Sequence, residues 1–338
     1  MAKIFAGLDV ADKATAICVL SASGDVILET LADTNAAAIG EVLKPYRRVL
    51  GGIGHESGSK AMWLHKEMVR KKWPVVCLDA MHTHAALKAN RNKTDRNDAR
   101  GIAQVLSRGI YTTAYVRSEK SQTARTLLAH RKALLRKRID LERLTVASLK
   151  IVGARLAKDG VDLVPMPQKR RRLDPSLRDT VEGTLSVMKV LSRERERLDE
   201  LILKAAKAEP VCRRLMTVPG VGPITAYSYW AAVDDPSRFQ SSRSVAAHFG
   251  LTPRTFQSGE SSSKGSISRR GDSEVRSLLY QSAASIMNIS KTTWRVRGWA
   301  RKLAEQKGFK VAAVACARKL AVVMHRLWIT ERDFDATM

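Results

Sequence analysis

Four carboxylates stand where oxygen ligands for a divalent cation could gather. Asp9 sits at the end of an apolar run, Ile4–Val10, two residues after Gly7. Glu56 follows a second apolar run, Val49–Gly54. Asp95 and Asp98 lie three apart in a segment that reads as a helix, so they share one face. Oxygen donors suit Mg2+, a hard cation. Two such ions roughly 4 Å apart stabilise the attacking and leaving oxygens of a phosphoryl transfer. Each acid alone has a plainer reading, since an Asp-x-x-Asp pair often only caps and solvates a helix. The order of all four inside one α/β pattern is what points to a cation site. His82 and His84 form an H-x-H pair with no third ligand close in sequence, and they read as loop histidines.

A second chemical candidate lies near the C-terminus. Gly250 to Arg276 reads GLTPRTFQSGESSSKGSISRRGDSEVR. Ser258 follows Arg254 and precedes Gly259, and Lys264, Arg269, Arg270 and Arg276 come soon after. A serine hydroxyl is a poor nucleophile until a base, a cation or a metal activates it. Guanidiniums bind phosphate bidentately and stabilise transition-state charge. Composition alone does not choose Ser258 over Ser261, Ser262, Ser263, Ser266 or Ser268. By itself it favours the plainer reading, a flexible Ser/Gly loop whose cations hold a nucleic-acid backbone.

The elements that must position these groups follow from pattern. Ile4–Val10, Ala14–Leu20 and Val26–Leu31 read as strands with short connections, which favours antiparallel pairing. Thr34 is placed to cap a helix over Ala36–Leu43. Val49–Gly54 reads as a buried strand, Ser59–Lys72 as a helix and Pro74–Leu78 as a fifth strand. That order is compatible with a ribonuclease H-like sheet. Thr94 or Asp95 caps a helix to about Ser107.

Helical patterns dominate afterwards. No Gly or Pro occurs between Glu119 and Gly153, and Leu127, Leu134 and Leu141 recur every seven residues until Ser148 breaks the series. Pro165–Pro175 reads as a linker holding the basic run Lys169, Arg170, Arg171 and Arg172. A second helix over about Leu177–Ala208 carries Leu191, Leu198 and Ala205 at the same spacing. These two segments read as an antiparallel hairpin, an oligomerisation arm or an ordinary core face. Leu215 to Pro223 is an apolar turn between helical segments. Its Gly220 and Gly222 would let backbone approach a phosphate, as in a helix-hairpin-helix clamp, or would serve the turn alone.

Composition bounds the rest. The 338 residues allow two or three domains at roughly 150 residues each. At 44% hydrophobic and 27% charged, the chain is not a disordered basic tail. The apolar run Val311–Ala317 has seven residues, far short of a membrane span. Met1–Val10 has no signal-peptide layout. Net charge is +26, and it is lopsided: residues 1–80 carry 10 basic and 9 acidic side chains, residues 81–338 carry 49 and 24. A polyanionic partner, most simply nucleic acid, is the direct implication. Cys18, Cys77, Cys212 and Cys316 are widely spaced and read as reduced core residues. Trp294 and Trp299 read as core or interface residues, with base stacking as the alternative.

With these residues in view, the chain resembles transposases of the insertion sequence 110 group, the DEDD/serine recombinases that use a bridge RNA. GLDVADK carries Asp9, NKTDRNDAR carries Asp95 and Asp98, and VPGVGPITA, FGLTPRTFQSGE and ISRRGDSEVRSLLY follow in order. The resemblance spans nearly the whole chain. It implies a ribonuclease H-like (resolvase-like) domain over 1–115 with Asp9, Glu56, Asp95 and Asp98 holding Mg2+. It implies long coiled-coil helices over 116–208 for oligomerisation. It implies a mostly helical transposase domain over 209–338, with Ser258 at the position of the catalytic serine. It further implies a dimer of dimers whose composite site pairs the acids of one subunit with the serine of another. A structured noncoding RNA would pair with donor and target DNA, in a prokaryotic cytoplasm at the nucleoid. One departure is local: Ser57-Gly58-Ser59-Lys60 follow Glu56, where the family usually has a Thr-Gly-x-Tyr type sequence. Two other classes fit the residues. A metal-dependent junction nuclease with water as nucleophile needs the acids and not Ser258. A non-catalytic nucleic-acid-binding assembly protein leaves the ordered acids unexplained.

Overall fold

Ile4–Val10 (β1), Ala14–Leu20 (β2) and Val26–Asp33 (β3) form an antiparallel meander in the computed structural model. The structure describes residues 3–58, 60–87, 94–156, 163–165, 174–258, 261–288 and 293–337. Two compact units are present, Met1–Val116 and Arg117–Met338.

In the first unit the meander is followed by Ala36–Leu43 (α1), Leu50–Glu56 (β4), Ala61–Arg70 (α2), Val75–Leu78 (β5), Ala80–Leu87 (α3) and Asp95–Ser107 (α4). The sheet order is β3-β2-β1-β4-β5, with β4 parallel to both β1 and β5. This meander-then-parallel arrangement fits the ribonuclease H-like expectation. β1 is covered on both faces, which is why its sequence runs apolar rather than alternating. Ile4, Ala6 and Leu8 pack with Ile39 and Leu43 of α1 and Leu64 and Met68 of α2. The opposite face meets α4. A Cβ added to Gly7 would lie 2.1 Å from the Ala99 carbonyl oxygen and 2.5 Å from the Ala103 nitrogen, so only glycine seats this helix on β1.

Two expectations need correction here. Asn35, not Thr34, caps α1, accepting from the Ala37 and Ala38 N–H groups at 3.0 and 2.8 Å. Thr34 instead donates its hydroxyl to the Ala11 carbonyl, 2.9 Å away, closing the β1–β2 end of the sheet. His82 and His84 lie on α3, not in a loop or strand. Two residues apart on a helix, they do not share a face.

The second unit is mostly helical. Glu119–Ile151 (α5) is a 33-residue helix, followed by the short pair Ala154–Leu156 (β6) and Leu163–Pro165 (β7). Pro175–Ala208 (α6) runs back along α5. Leu149 near the end of α5 packs with Val181 and Leu185 near the start of α6. At the other end Ala124 joins Ile202 and Ala206. Pro210–Leu215 (α7), Pro223–Val233 (α8) and Ser242–His248 (α9) follow. Pro253–Ser258 (β8) and Ser261–Ile267 (β9) form a hairpin. Ser273–Asn288 (α10), Arg295–Lys307 (α11) and Phe309–Thr330 (α12) close the chain. The core is built on α8 and α12, where Ala226, Ala312, Ala313, Ala317 and Ala321 let helices approach closely. The Tyr229 hydroxyl, fully buried there, donates to the Ala321 carbonyl at 2.7 Å. The four cysteines are buried free thiols.

Candidate active site and nucleic-acid surfaces

Strand direction places the first two acids. β1 and β4 are parallel, with Gly7 opposite Gly54 and Leu8 opposite His55; Asp9 and Glu56 are the next residues of the two strands. Side chains alternate along a strand. Asp9 therefore shares the face of Gly7, and Glu56 that of Gly52 and Gly54, whose neighbours are Leu106 and Ile102 of α4. Both acids are half-buried on the α4 face, at the C-terminal edge of the sheet. Glu56 is the last residue of β4 rather than lying beyond it.

The other two acids come from α4. The Thr94 hydroxyl accepts from the Asn97 N–H at 3.2 Å and caps the helix, which settles the choice between Thr94 and Asp95. Asp95 and Asp98 occupy the first turn, where carboxylates favour the helix dipole. Ala99, next to Asp98, is the residue pressed onto Gly7. Arg100 and Arg96 pair with Glu29 of β3 at 2.6 and 3.5 Å, fixing the helix across the sheet. All four acids thus belong to one face and one edge. Among the described residues, no three His, Cys, Asp or Glu side chains converge tightly enough to hold a metal ion.

Two features of this edge are not apparent from the motifs. Asp79, directly after β5, is a further carboxylate there; the signal was an acid immediately after an apolar run. It is committed to α3, accepting from the Met81 and His82 N–H groups and contacting the His82 ring at 3.0 Å. The His82 backbone N–H contributes most to holding its carboxyl below the usual range. On the opposite face of β4, His55 is buried; its Nδ1 donates to the Glu56 carbonyl at 2.9 Å and its Nε2 accepts from His65 Nδ1 at 2.8 Å. Burial pushes His55 down to about 4. A neutral histidine therefore fixes the backbone that carries Glu56.

The serine segment is a β-hairpin rather than a loop. Ser258 pairs with Ser261 in the rung next to the tip, and Pro253 pairs with Ile267 at the root. Gly259, the side chain of Ser258 and the side chain of Lys264 lie outside the described residues. Arg254 on β8 is exposed, as are Arg269 and Arg270 just beyond β9. Arg276 is occupied differently: its guanidinium donates to the Phe249 and Arg270 carbonyls at 2.9 and 3.0 Å, bracing the hairpin root. Asp272 caps α10 at the Glu274 and Val275 N–H groups and pairs with Arg125 at 2.7 Å. Burial raises the Asp272 pKa, but the Arg125 guanidinium and these N–H groups outweigh it and hold the carboxyl below its usual range.

Residues 212–297 match the family described as Transposase IS116/IS110/IS902 family, and residues 6–152 match the DEDD transposase family of IS110. The chain is 31% identical over 274 residues to the transposase for insertion sequence element IS1111A of Coxiella burnetii, covering 77% of this chain and 73% of that one. The chain belongs to the IS116/IS110/IS902 transposase family. A transposase for element IS1328 from Yersinia enterocolitica is 28% identical, with 80% and 81% of the two chains covered. The pilin gene-inverting protein of Moraxella bovis is 35% identical over 124 residues, 36% of this chain and 38% of that one.

This transposase is therefore a DNA-recombining enzyme. The match over residues 6–152 contains Asp9, Glu56, Asp95 and Asp98, and the match over residues 212–297 contains Gly220, Gly222 and the whole serine hairpin. The turn at Gly220 and Gly222 lies between α7 and α8. Gly220 takes a left-handed φ of +78°, and a Cβ there would meet the Ser282 carbonyl oxygen at 2.8 Å. Its backbone approach is to α10, whereas Gly222 faces open space before α8. The basic run Lys169, Arg170, Arg171 and Arg172 lies outside the described residues. Trp294 is core, 1% exposed; Trp299 is 37% exposed. Among the described residues no helix is long and apolar enough to cross a membrane.

Proposed function

We propose that this transposase cuts and rejoins DNA through a covalent serine intermediate, with Ser258 as nucleophile and Asp9, Glu56, Asp95 and Asp98 as ligands of Mg2+. The observation that carries this reading is the convergence of three acid-bearing elements on one sheet edge, in a chain whose other unit presents a serine next to the tip of a hairpin. The donors are all carboxylate oxygens, the ligand chemistry of a hard cation. When bound, Mg2+ would offset the mutual repulsion of these carboxylates and the charge developing on the phosphate.

In the proposed step the Ser258 oxygen forms a bond to phosphorus while the bond from phosphorus to the 3′ oxygen breaks. The proton lost by serine is balanced by the one gained by the departing 3′ hydroxyl. The phosphoserine ester keeps a phosphodiester's bond energy, so a 3′ hydroxyl from the partner strand reverses the step onto a new end without ATP. Arg254, Lys264, Arg269 and Arg270 neutralise the phosphates flanking the cut. In this reading residues 1–115 bring the acids, 116–208 join copies into a dimer of dimers, and 209–338 bring the serine. A structured RNA from the same element selects donor and target DNA in the cytoplasm, at the nucleoid.

Ser258→Ala is expected to abolish covalent protein–DNA adducts, read as denaturant-stable shifted bands, while DNA binding persists. Asp9→Asn is expected to do the same. Wild-type adduct levels in Ser258→Ala would overturn the serine assignment. The competing reading is a metal-dependent junction nuclease with water as nucleophile. It is favoured by the acids forming their own edge within the first unit; strand cleavage in Ser258→Ala that leaves free 5′ phosphates would select it. The RNA is tested by purification from cells carrying the native locus, a high-salt wash and sequencing of what remains.

A further inference from the structure

Residues Arg295–Thr330, the α11–α12 pair, carry nine basic side chains and one acid, Glu305. The nine are Arg295, Arg297, Arg301, Lys302, Lys307, Lys310, Arg318, Lys319 and Arg326. Among the described residues none of these cations forms an ion pair with a carboxylate. Eight of the nine are exposed, Arg297 being half-buried. Their helices pack against one another, with Ala300, Ala312, Ala313, Ala317 and Ala321 buried in the core beneath them. Cations gathered on two adjoining helices repel one another, a cost that a counter-charge offsets. Folding gains nothing from this arrangement, and a polyanion does.

The face also carries an aromatic. On α11, Arg295, Trp299 and Lys302 stand at i, i+4 and i+7 and so form one stripe. Gly298 lies beside them, with nothing within 4 Å of where its side chain would be. The Lys319 ammonium of α12 sits 3.8 Å from the centroid of the Trp299 ring. This contact orients an indole that remains partly exposed amid cations. Duplex DNA keeps its base faces stacked inside the helix, whereas an unpaired strand offers them to an aromatic platform while its phosphates meet the flanking cations.

We propose that the α11–α12 face binds an unpaired stretch of the DNA being recombined, with Trp299 stacking on a base and Arg295, Lys302 and Arg318 holding neighbouring phosphates. The inference rests on DNA being the substrate, as the family membership supplies; it does not need Ser258. None of these residues belongs to the acid edge or the serine hairpin.

The test measures fluorescence anisotropy of the full chain with a 20-nucleotide single strand, the same sequence as duplex, and the same sequence as RNA, across a salt series. The triple variant Arg295→Gln, Lys302→Gln, Arg318→Gln is expected to lower single-strand affinity and to reduce the slope of log K against log salt by about 2, three released phosphate contacts at about 0.7 each. Trp299→Leu is expected to weaken single-strand binding about tenfold and leave duplex binding unchanged, and Trp299→Phe to restore most of the loss. Circular dichroism melts identify any variant that fails to fold, and the triple variant, which touches no core residue, remains interpretable if Trp299→Leu does not. An unchanged salt slope overturns the surface. Equal losses on duplex and single strand in Trp299→Leu overturn the unpaired-strand assignment, and a larger loss with RNA than with DNA overturns the DNA assignment. Ser258→Ala is expected to bind the single strand as wild type does, so failure here leaves the covalent mechanism standing, and the reverse holds too.

Discussion

Two regions of the second unit carry similar charge in opposite ways. Along α5 and α6 several cations are answered within the pair: Arg131 and Arg195 share Asp199, Arg138 meets Glu142, Arg178 meets Glu182, and Arg197 meets Glu194. Along α11 and α12 nine cations face one acid and none is paired among the described residues. Both are helical pairs with small or aliphatic seams, so packing does not separate them. The carboxylates do. Where acids are interleaved at i+3 and i+4, basic residues close on their own chain and help set the register of two long helices. Where acids are missing, the same residues are left for a partner. Net charge reported over a whole chain hides this distinction.

The first unit adds a contrasting rule, since close backbone contact at Gly7, beside the Arg100–Glu29 pair, seats the helix at its charged edge. Gly7→Val is the sharpest way to probe it and carries the largest expected effect. The added side chain would collide with the α4 backbone at Ala99 and Ala103, which cannot move without leaving the sheet. A loss of about 4 kcal/mol or more is expected, seen as lost hydrogen-exchange protection across β1, β4 and α4. Protection in α8 and α12 is expected to survive. Loss of protection in both units would end the contrast between a packed edge and charge-ordered helices.

Acid comes next, and it is expected to act on both units alike. His55 is pushed down to about 4 by burial, with His65 adding to the shift. His248 is pushed down to about 4 by burial, then by the Arg238 and Arg117 cations beside it. In each case the unfolded chain takes a proton below about pH 6.5 while the folded chain resists until about pH 4. Unfolding therefore binds protons, and stability falls as pH drops through that window. For His55 the full depth is at most about 3 kcal/mol. Urea melts at pH 7.5 and pH 5 on wild type and His55→Gln check this; the variant is expected to lose much of the dependence. Equal pH dependence in both would remove His55 as its source.

Asp199 tests the paired helices directly. Asp199→Ala strips the shared partner from Arg131 and Arg195, all three of them half-buried. Breaking a fully buried pair costs more; with water within reach, about 2 kcal/mol is expected. Anisotropy with DNA is expected to change little. A marked gain in DNA affinity would mean that pairing, rather than position, keeps these arginines from binding.

Much of this organisation was legible in the residues. The five strands, α4 and the two long helices follow from apolar runs, helix breakers and heptad leucines, because burial on both faces or along one seam leaves periodic traces. Asp9 and Glu56 were legible as carboxylates interrupting or closing an apolar run, and Asp95 and Asp98 as acids three apart at the start of a helix. The serine hairpin was not. SGESSSKGS has little β-propensity and no alternating apolar face, and the hairpin is held at its root by Arg276 and the Arg125–Asp272 pair instead. Gly220 was legible as a turn, but its close approach to Ser282 depends on a helix some sixty residues later, which spacing does not report. The contrast between paired and unpaired cations was likewise out of reach, since the total of +26 weighs every charge equally.

The smallest expected effect is the one that separates the two helical pairs most cleanly. Arg295→Gln, Lys302→Gln and Arg318→Gln together remove three exposed cations that have no carboxylate partner among the described residues. Surface substitutions away from structural features usually stay within about 0.5 kcal/mol each way. Here the sign is set by repulsion: the three lie among six other cations, so their loss relieves like-charge contact. A melting temperature unchanged or slightly raised at low salt is expected, with the difference shrinking as salt screens the repulsion. The same three-charge deletion made in α6, at Arg178, Arg195 and Arg197, is expected to lower it, because each of those loses a carboxylate at 2.7 to 3.2 Å. Opposite signs for equal charge removed would show that these helices differ in where their acids lie and not in how basic they are.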